Sequence, residues 1–486
     1  MQTVREDLER RKFRQRGSHN NRIVNRPETW LTIRRGEITS VDDLAILARL
    51  SSARSVMVLG DHASDAETTK VILAIVASIQ SDKVTRTTPL NIVASIGDDA
   101  LARRLQERIH FLSIESAEAG EPVAELIRVT PSLVRTGIEA QVARHRGLSE
   151  VYRDLLDFDE EEFYVIPAPP GRNTFGEVVD SERVVVVGIK DDSGVNMWPD
   201  WSTAIAGKSL IVMASSRTVA IDAVSRGSEV SFRNSRPAGR PMSTIPEKIL
   251  VIGWNKSARN LVRSLISTSP AGSEIHVLVH AADEFDEGMR DEYPQVRLET
   301  RLDERDPLDD RNFVADFDHV IVLAHEEMNP AESDAAVLSD VLACRVHVDN
   351  SRNPDGQPTT VVAELRQRVS KNIAGVRLAD DLLLSDSLKA SAMTQLAVHP
   401  ELLPVFRAIL ESDSADHVQL LSDHAQSKQN VGRPWRDVRR QIMRETGELP
   451  VAIRAEGISA GVSTNPPGDR VIHEGEEIIV FGRYVS

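Results

Sequence analysis

The stretch Ala53-Arg54-Ser55-Val56-Met57-Val58-Leu59, followed by Asp65-Ala66-Glu67 and the apolar run Val71 to Val76, is written again downstream. There it is Phe317-Asp318-His319-Val320-Ile321-Val322-Leu323, followed by Asp334-Ala335-Ala336 and the run Val337 to Leu342. Val56 and Val320 stand 264 positions apart. Further segments recur in the same order. Asn91-Ile92-Val93-Ala94-Ser95-Ile96 is echoed by Thr360-Val361-Val362-Ala363-Glu364-Leu365. The run from Leu148 through Val151-Tyr152-Arg153 to Leu156 is echoed by Leu402 through Val405-Phe406-Arg407 to Leu410, at a separation of 254. Val184 to Gly188 is echoed by Pro450 to Arg454, and Asn196-Met197-Trp198-Pro199 by Asn465-Pro466-Pro467. One such pair would mean little, because apolar strands resemble each other. An ordered set points to an internal duplication.

Each half has two textures. The first alternates short β-branched strands with amphipathic helices, as in Ser55 to Gly60 and then Ala66 to Ser78, and predicts a parallel, doubly wound sheet. The second, near residues 163–220 and 449–486, is strands and turns without a helical period. The expected fold is α/β, with two tandem Rossmann-like domains, each followed by a small β-rich lobe. The boundaries fall at 1–160 and 161–224 for the first half, 225–247 for a linker, and 248–421 and 422–486 for the second half. Helices are expected at residues 2–16, 136–156, Leu382 to Val398 and Leu402 to Leu410. Residues 247–300 hold a strand (Lys248 to Ile252), a helix (Ser257 to Thr268) and a strand (Glu274 to Val279) with no counterpart in the first half. The first sheet is therefore expected to lack an opening strand-helix-strand unit, which would leave backbone groups for a partner or upstream residues to pair.

The totals bound the function. The chain of 486 residues has room for several domains, and its net charge of -16 argues against binding nucleic acid, whose phosphates need a basic face. The single cysteine, Cys344, excludes an internal disulfide and a cysteine-based zinc site. No apolar run approaches the roughly 18 residues of a membrane helix, and the charged first twenty residues are no signal peptide. A cytoplasmic chain is expected.

The strongest local motif is Ile249-Leu250-Val251-Ile252-Gly253-Trp254-Asn255-Lys256-Ser257. A strand ending in glycine before a helix is where a doubly wound sheet holds phosphate. Gly253, Trp254, Asn255 and Ser257 are thus the candidate cofactor-binding residues, with NAD or another nucleotide as the ligand. The G-x-G-x-x-G fingerprint is incomplete, since Asn255 and Ala258 replace its second and third glycines, so a purely structural turn remains the other reading. The acidic runs Asp157 to Glu162 and Asp303 to Asp306 could offer oxygen ligands to calcium, although neither has the EF-hand spacing. His62, His325 and His347 lie near strand ends without an evident partner. No catalytic constellation is present, and an enzyme is not expected.

With these residues in view, the chain resembles the cytosolic part of the CASTOR/POLLUX ion-channel family. Ser52 to Leu59 resembles the family's strand after a charged helix, residues 136–156 with Phe163-Tyr164-Val165 its crossover, and Val184 to Ile189 with Pro199 the following lobe. Ile249 to Trp254 resembles the strand-Gly-Trp opening of its second domain, and Val361 to Leu365 and Ser385 to Leu396 follow in order. The resemblance implies two tandem domains of the kind that regulates potassium conductance (RCK domains), assembling with further copies into a ring beside a membrane pore. The pore helices and the first opening unit depart from the family's pattern, which suggests a start internal to the family's chain or a gene split from its pore. The expected function is gating of a cation, potassium-type channel at the cytoplasmic face of the membrane. A soluble nucleotide-binding regulator or an NAD-dependent enzyme is the other reading.

Overall fold

The computed structural model describes residues 34–485, less 60–64, 82–83, 85, 87, 117–123, 146, 157–160, 182, 229, 231, 233–234, 238–239, 242–243, 280–284, 286–287, 301–305, 349–358, 375–377, 411–418, 424–427, 456–461 and 483. The expected helix at 2–16, His62, most of the run Asp157 to Glu162 and residues 303–305 lie outside these.

In the first half, β1 (Ser55–Val58), β2 (Leu90–Ser95) and β3 (Ala124–Val129) form a parallel three-stranded sheet in that order. Helices α1 (Asp65–Gln80) and α2 (Asp99–Ser116) connect them. The apolar spacing of α1 buries Ile72, Ile75, Val76 and Ile79 along one face. Two helices follow, α3 (Pro131–Arg144) and α4 (Leu148–Leu156). A β lobe comes next, of β4 (Glu162–Pro167), β5 (Val185–Asp191), β6 (Gly194–Met197) and β7 (Ser209–Ala214), in the order β4-β7-β5-β6. Helix α5 (Arg217–Arg226) and the two-residue β8 (Arg240–Pro241) lead out of it.

The second half repeats this plan with an addition. Its parallel sheet has six strands, in the order β11-β10-β9-β12-β13-β14. They are β9 (Lys248–Ile252), β10 (Glu274–Val279), β11 (Val296–Thr300), β12 (His319–Val322), β13 (Thr360–Leu365) and β14 (Asp381–Leu384). The helices that matter below are α6 (Ala258–Thr268), α7 (Pro330–Val348), α8 (Ser385–Val398), α9 (Leu403–Leu410) and α10 (Trp435–Thr446). The lobe of β15 (Gln419–Asp423), β16 (Leu449–Ala455), β17 (Val462–Thr464) and β18 (Glu476–Gly482) has the order β15-β18-β16-β17, and β19 (Tyr484–Val485) pairs with β8. Strands β1, β2 and β3 thus correspond to β12, β13 and β14.

The repeat extends to single contacts. The Asp65 carboxylate accepts from the N–H groups of Gly97 (3.1 Å) and Asp98 (2.7 Å), just past β2. Asp334 does the same for Arg366 (2.8 Å) and Gln367 (3.0 Å), just past β13. Both lobes carry a register shift in the middle strand, at Val186/Gly188 and at Pro450/Ala452. Both then place a non-glycine residue at positive φ: Trp198 (48°) donates N–H to the Val187 carbonyl, and Asn465 (47°) to that of Val451. The structural match therefore sets Trp198 against Asn465 and Pro199 against Pro466.

The halves exchange helices. Although α3 follows the first sheet in sequence, it lies on β12, β13 and α6. Ala140 and Ala143 join the core formed by Ile249, Val251, Leu261, Val262, Leu265 and Ile321. In return α8 lies on β1 and β2, and Leu388, Ala392, Met393 and Leu396 share a core with Val93, Ile127 and Val129. The ends are pinned alike: Thr360 Oγ1 donates to the Ala143 carbonyl at 3.1 Å, and Arg54 Nη2 to that of Val398 at 3.0 Å. Arg144 ties the end of α3 to Glu247 (3.0 Å), Ser269 Oγ (2.6 Å) and the Leu265 carbonyl (3.2 Å).

Two elements differ from the sequence reading. The helix expected over 136–156 is two helices, α3 and α4, broken at Gly147, where φ is +76° and a β-carbon would collide with the Arg454 guanidinium. The helix expected from Leu382 starts only at Ser385, because Asp381–Leu384 is the edge strand β14, paired with β13. An apolar run too short to show a period satisfies either element, and the neighbouring strand decides.

Candidate regulatory site at the crest of the second sheet

The candidate residues sit where β9 hands over to α6. Gly253 takes φ +89°, a region that favours glycine, and its N–H donates to the Leu278 carbonyl at 2.8 Å. A β-carbon there would have ordinary contacts with Leu323, at 3.5 Å and beyond, so the backbone turn sets the glycine. Trp254 turns toward the sheet and packs on Phe285, ring centroids 4.7 Å apart. Asn255 Oδ1 accepts from Ser257 N (3.1 Å) and Ser257 Oγ (2.8 Å). Its Nδ2 donates to the Ala324 carbonyl (3.0 Å) and to Glu364 Oε2 (3.3 Å).

Around this loop gather charged residues that the sequence reading did not single out. Glu364, near the end of β13 and 1% exposed, accepts from Ala324 N–H at 2.9 Å as well as from Asn255. Arg135, from the first turns of α3, reaches across from the first half. Its Nη1 lies 2.8 Å from Glu326 Oε1 and 3.4 Å from Glu364 Oε1. Glu326 Oε2 in turn accepts from Lys256 N–H at 3.4 Å. Burial opposes the charge of Arg135, and Glu364, Glu139 and Glu326 together outweigh it, holding its pKa above the ordinary value. Burial likewise pushes Glu326 upward, but Arg135 and the Lys256 N–H win and hold it below the usual carboxylate range. On α8, burial pulls Lys389 down against the pull of Asp386.

This donor set does not suit a dinucleotide. A pyrophosphate needs free N–H groups and no carboxylates at the head of the helix. Here the Lys256 N–H is turned to Glu326, Asn255 stands where a glycine would admit the backbone, and two carboxylates face the space. The Glu326 and Glu364 carboxylates already take the anion's electrostatic place, paired with a guanidinium from the first half. Among the candidate residues the fold brings Gly253, Asn255 and Ser257 together at the crest, while Trp254 belongs to the core beside it. His347 lies on α7, and the backbone N–H of His325 donates to Ser333 Oγ at 3.0 Å. Among the described residues no group of three or more His, Cys, Asp or Glu is arranged to hold a metal ion.

Glu364 was visible in the sequence as the one charge inside Thr360-Val361-Val362-Ala363-Glu364-Leu365, a strand buried along its whole length. A buried charge in such a run demands a partner. That the partner is Arg135 was not visible, because the exchange of α3 is a tertiary fact.

Residues 134–227, which run from α3 through the first lobe to the end of α5, match the family model described as Castor and Pollux, part of voltage-gated ion channel. That segment is of CASTOR/POLLUX type. A "Probable ion channel POLLUX" of Oryza sativa subsp. japonica is 22% identical over 298 residues, covering 53% of this chain and 30% of the rice protein. The chain thus spans under a third of the length of that relative. The structure of the human SLO3 gating ring superposes at a TM-score of 0.59 and 13% identity, covering 93% of this chain and 91% of that one. The shared fold is the tandem one described above, two parallel-sheet α/β domains each followed by a β-rich lobe. Among the described residues, no helix is long and apolar enough to cross a membrane.

Proposed function

We propose that this chain is a gating-ring part of an ion channel, with potassium as the expected ion, acting on a membrane pore at its cytoplasmic face. The observation that carries the reading is the exchange of α3 and α8 between two related halves of a chain-long gating-ring fold, with α3 opening the segment that matches the CASTOR/POLLUX model. A regulatory device of this kind needs two packings that a ligand or ion binds unequally. The exchanged helices supply the joint: each is anchored to the opposite half, so a shift of one sheet moves the helix that covers the other. The units of the reading are the two sheets, residues 1–160 and 248–421, and the two lobes, residues 161–224 and 422–486. We further propose that copies of the chain associate into a ring. The role is regulatory rather than catalytic, and the crest at Gly253 serves as a contact between halves in place of a nucleotide cradle.

The test is functional. The chain replaces the corresponding segment of the rice POLLUX protein, and currents are recorded in planar bilayers. Open probability should depend on the grafted segment, and Gly137→Val, which unseats α3, should alter it. Currents indifferent to the segment's presence and to that substitution would remove the gating role.

A further inference from the structure

One buried group in α3 is left unexplained by the contacts above. Glu139 lies one helical turn past Arg135, is 1% exposed, and neither of its carboxylate oxygens has a hydrogen-bond partner among the described residues. It sits where α3 presses on the second sheet, among Ile138, Ala140 and Ala143, all fully or almost fully buried.

The charges that face it come from every side of this contact. Arg135 shares its helix, Glu364 lies on β13, and Glu326 is on the loop after β12. Beyond them α8 presents Lys389 and Asp386, the latter 3.6 Å from Arg366, and α6 is preceded by Lys256. Through Nη1 the Arg135 guanidinium pairs with Glu326 and Glu364, and its buried Nε has no partner among the described residues, so one guanidinium faces three carboxylates. An ionised carboxylate buried without donors is among the costliest groups a protein can hold, and binding a proton removes that cost.

The duplication provides a control within the same molecule. Helices α3 and α8 start 254 positions apart, so Arg135 corresponds to Lys389 and Glu139 to Met393, which is 1% exposed and apolar. Glu364 correspondingly matches Ser95 of β2. The helix packing therefore has no need of acids at these positions, and the acids occur together on one side of the pseudo-symmetric pair.

We propose that Glu139 is a proton-binding site: it holds a proton while α3 is seated on the second sheet, and its ionisation loosens that contact, so the junction between the halves responds to pH. The site stands on packing alone and does not depend on the channel reading. Burial first, then Glu364, pushes the carboxyl well above its ordinary range, and Arg135 opposes only in part. The sign follows. As pH rises past the ordinary carboxylate range the unfolded chain releases this proton while the folded chain retains it, so stability is present in acid and lost with rising pH until the folded site also ionises.

The experiment compares the full chain with Glu139→Gln, which keeps the shape and removes the titration. Denaturant midpoints and amide hydrogen exchange over residues 131–144 and 360–365 are measured from about pH 5 to about pH 9. The two proteins should coincide in acid, and at alkaline pH E139Q should exchange about tenfold more slowly in both segments. An offset that is the same at every pH would overturn the proposal. Glu364→Gln gives a second arm, since removing the neighbouring negative charge lets the folded site ionise earlier, so the weakening seen in the wild type should be smaller and end at lower pH in the same exchange measurement. An unshifted profile would also overturn it.

Discussion

Gly137 of α3 crosses Leu410 of α9 so closely that a β-carbon on Gly137 would lie 1.7 Å from the Leu410 carbonyl oxygen. The two residues belong to different halves and are brought together by the exchange of helices. The obstacle to any side chain is backbone, which cannot rotate away. Gly137→Ala should therefore force the crossing apart and cost about 1–3 kcal/mol, as overpacked cores do. Urea unfolding measures it, and a variant as stable as the parent would show that the crossing is looser than described.

The lobes lean on each other through a second reciprocal pair. Trp198 Nε1 donates to the Gly447 carbonyl at 2.6 Å, and its counterpart Asn465 Nδ2 donates to the Arg183 carbonyl at 3.0 Å. Gly447 and Arg183 both take positive φ just before the middle strand of their lobe. Trp198→Phe keeps the buried ring but removes the donor, and should cost about 1–2 kcal/mol. Asn465→Ala, at a more exposed bond, should cost less. Equal effects would mean that burial does not set the difference.

The ion pair at the crest has the opposite pH sign to Glu139. Glu326 is held below the usual carboxylate range by Arg135 and the Lys256 N–H, against the upward push of burial. Its contribution is present above the unfolded carboxylate range and lost as pH falls through the folded value. Glu326→Gln should weaken the chain by about 1 kcal/mol at neutral pH, with the difference shrinking in acid. Denaturation of both proteins at several pH values checks it, and a difference that grows in acid would contradict the pairing.

The crest is expected to bind dinucleotides weakly or not at all. Calorimetry with NAD, NADH and ATP should give no submicromolar binding. Tight binding abolished by Gly253→Val would show that the loop reorganises to admit a phosphate.

Much of the fold was legible because the repeated segments carry structural chemistry. Asp65 and Asp334 marked the duplication as letters, and they prove to cap the same turn in both halves. Lys248 to Gly253 announced its strand and turn through a β-branched run and a terminal glycine. The break at Gly147 was hidden inside residues 136–156, which read as one helix, and Leu382 to Leu384 looked helical because an edge strand of a parallel sheet is apolar on both faces. The crest was half legible. Gly253 and Asn255 could be found locally, whereas Arg135 and Glu139 reach it only through the exchange of α3, which no local pattern encodes.

The proposed assembly into a regulatory ring is tested most directly by the mass of the chain in solution. Light scattering of the purified chain at micromolar concentration should give at least twice the 53.7 kDa of one copy, rising with concentration toward a closed ring. A species that stays at 53.7 kDa throughout would contradict the assembly and, with it, the gating role.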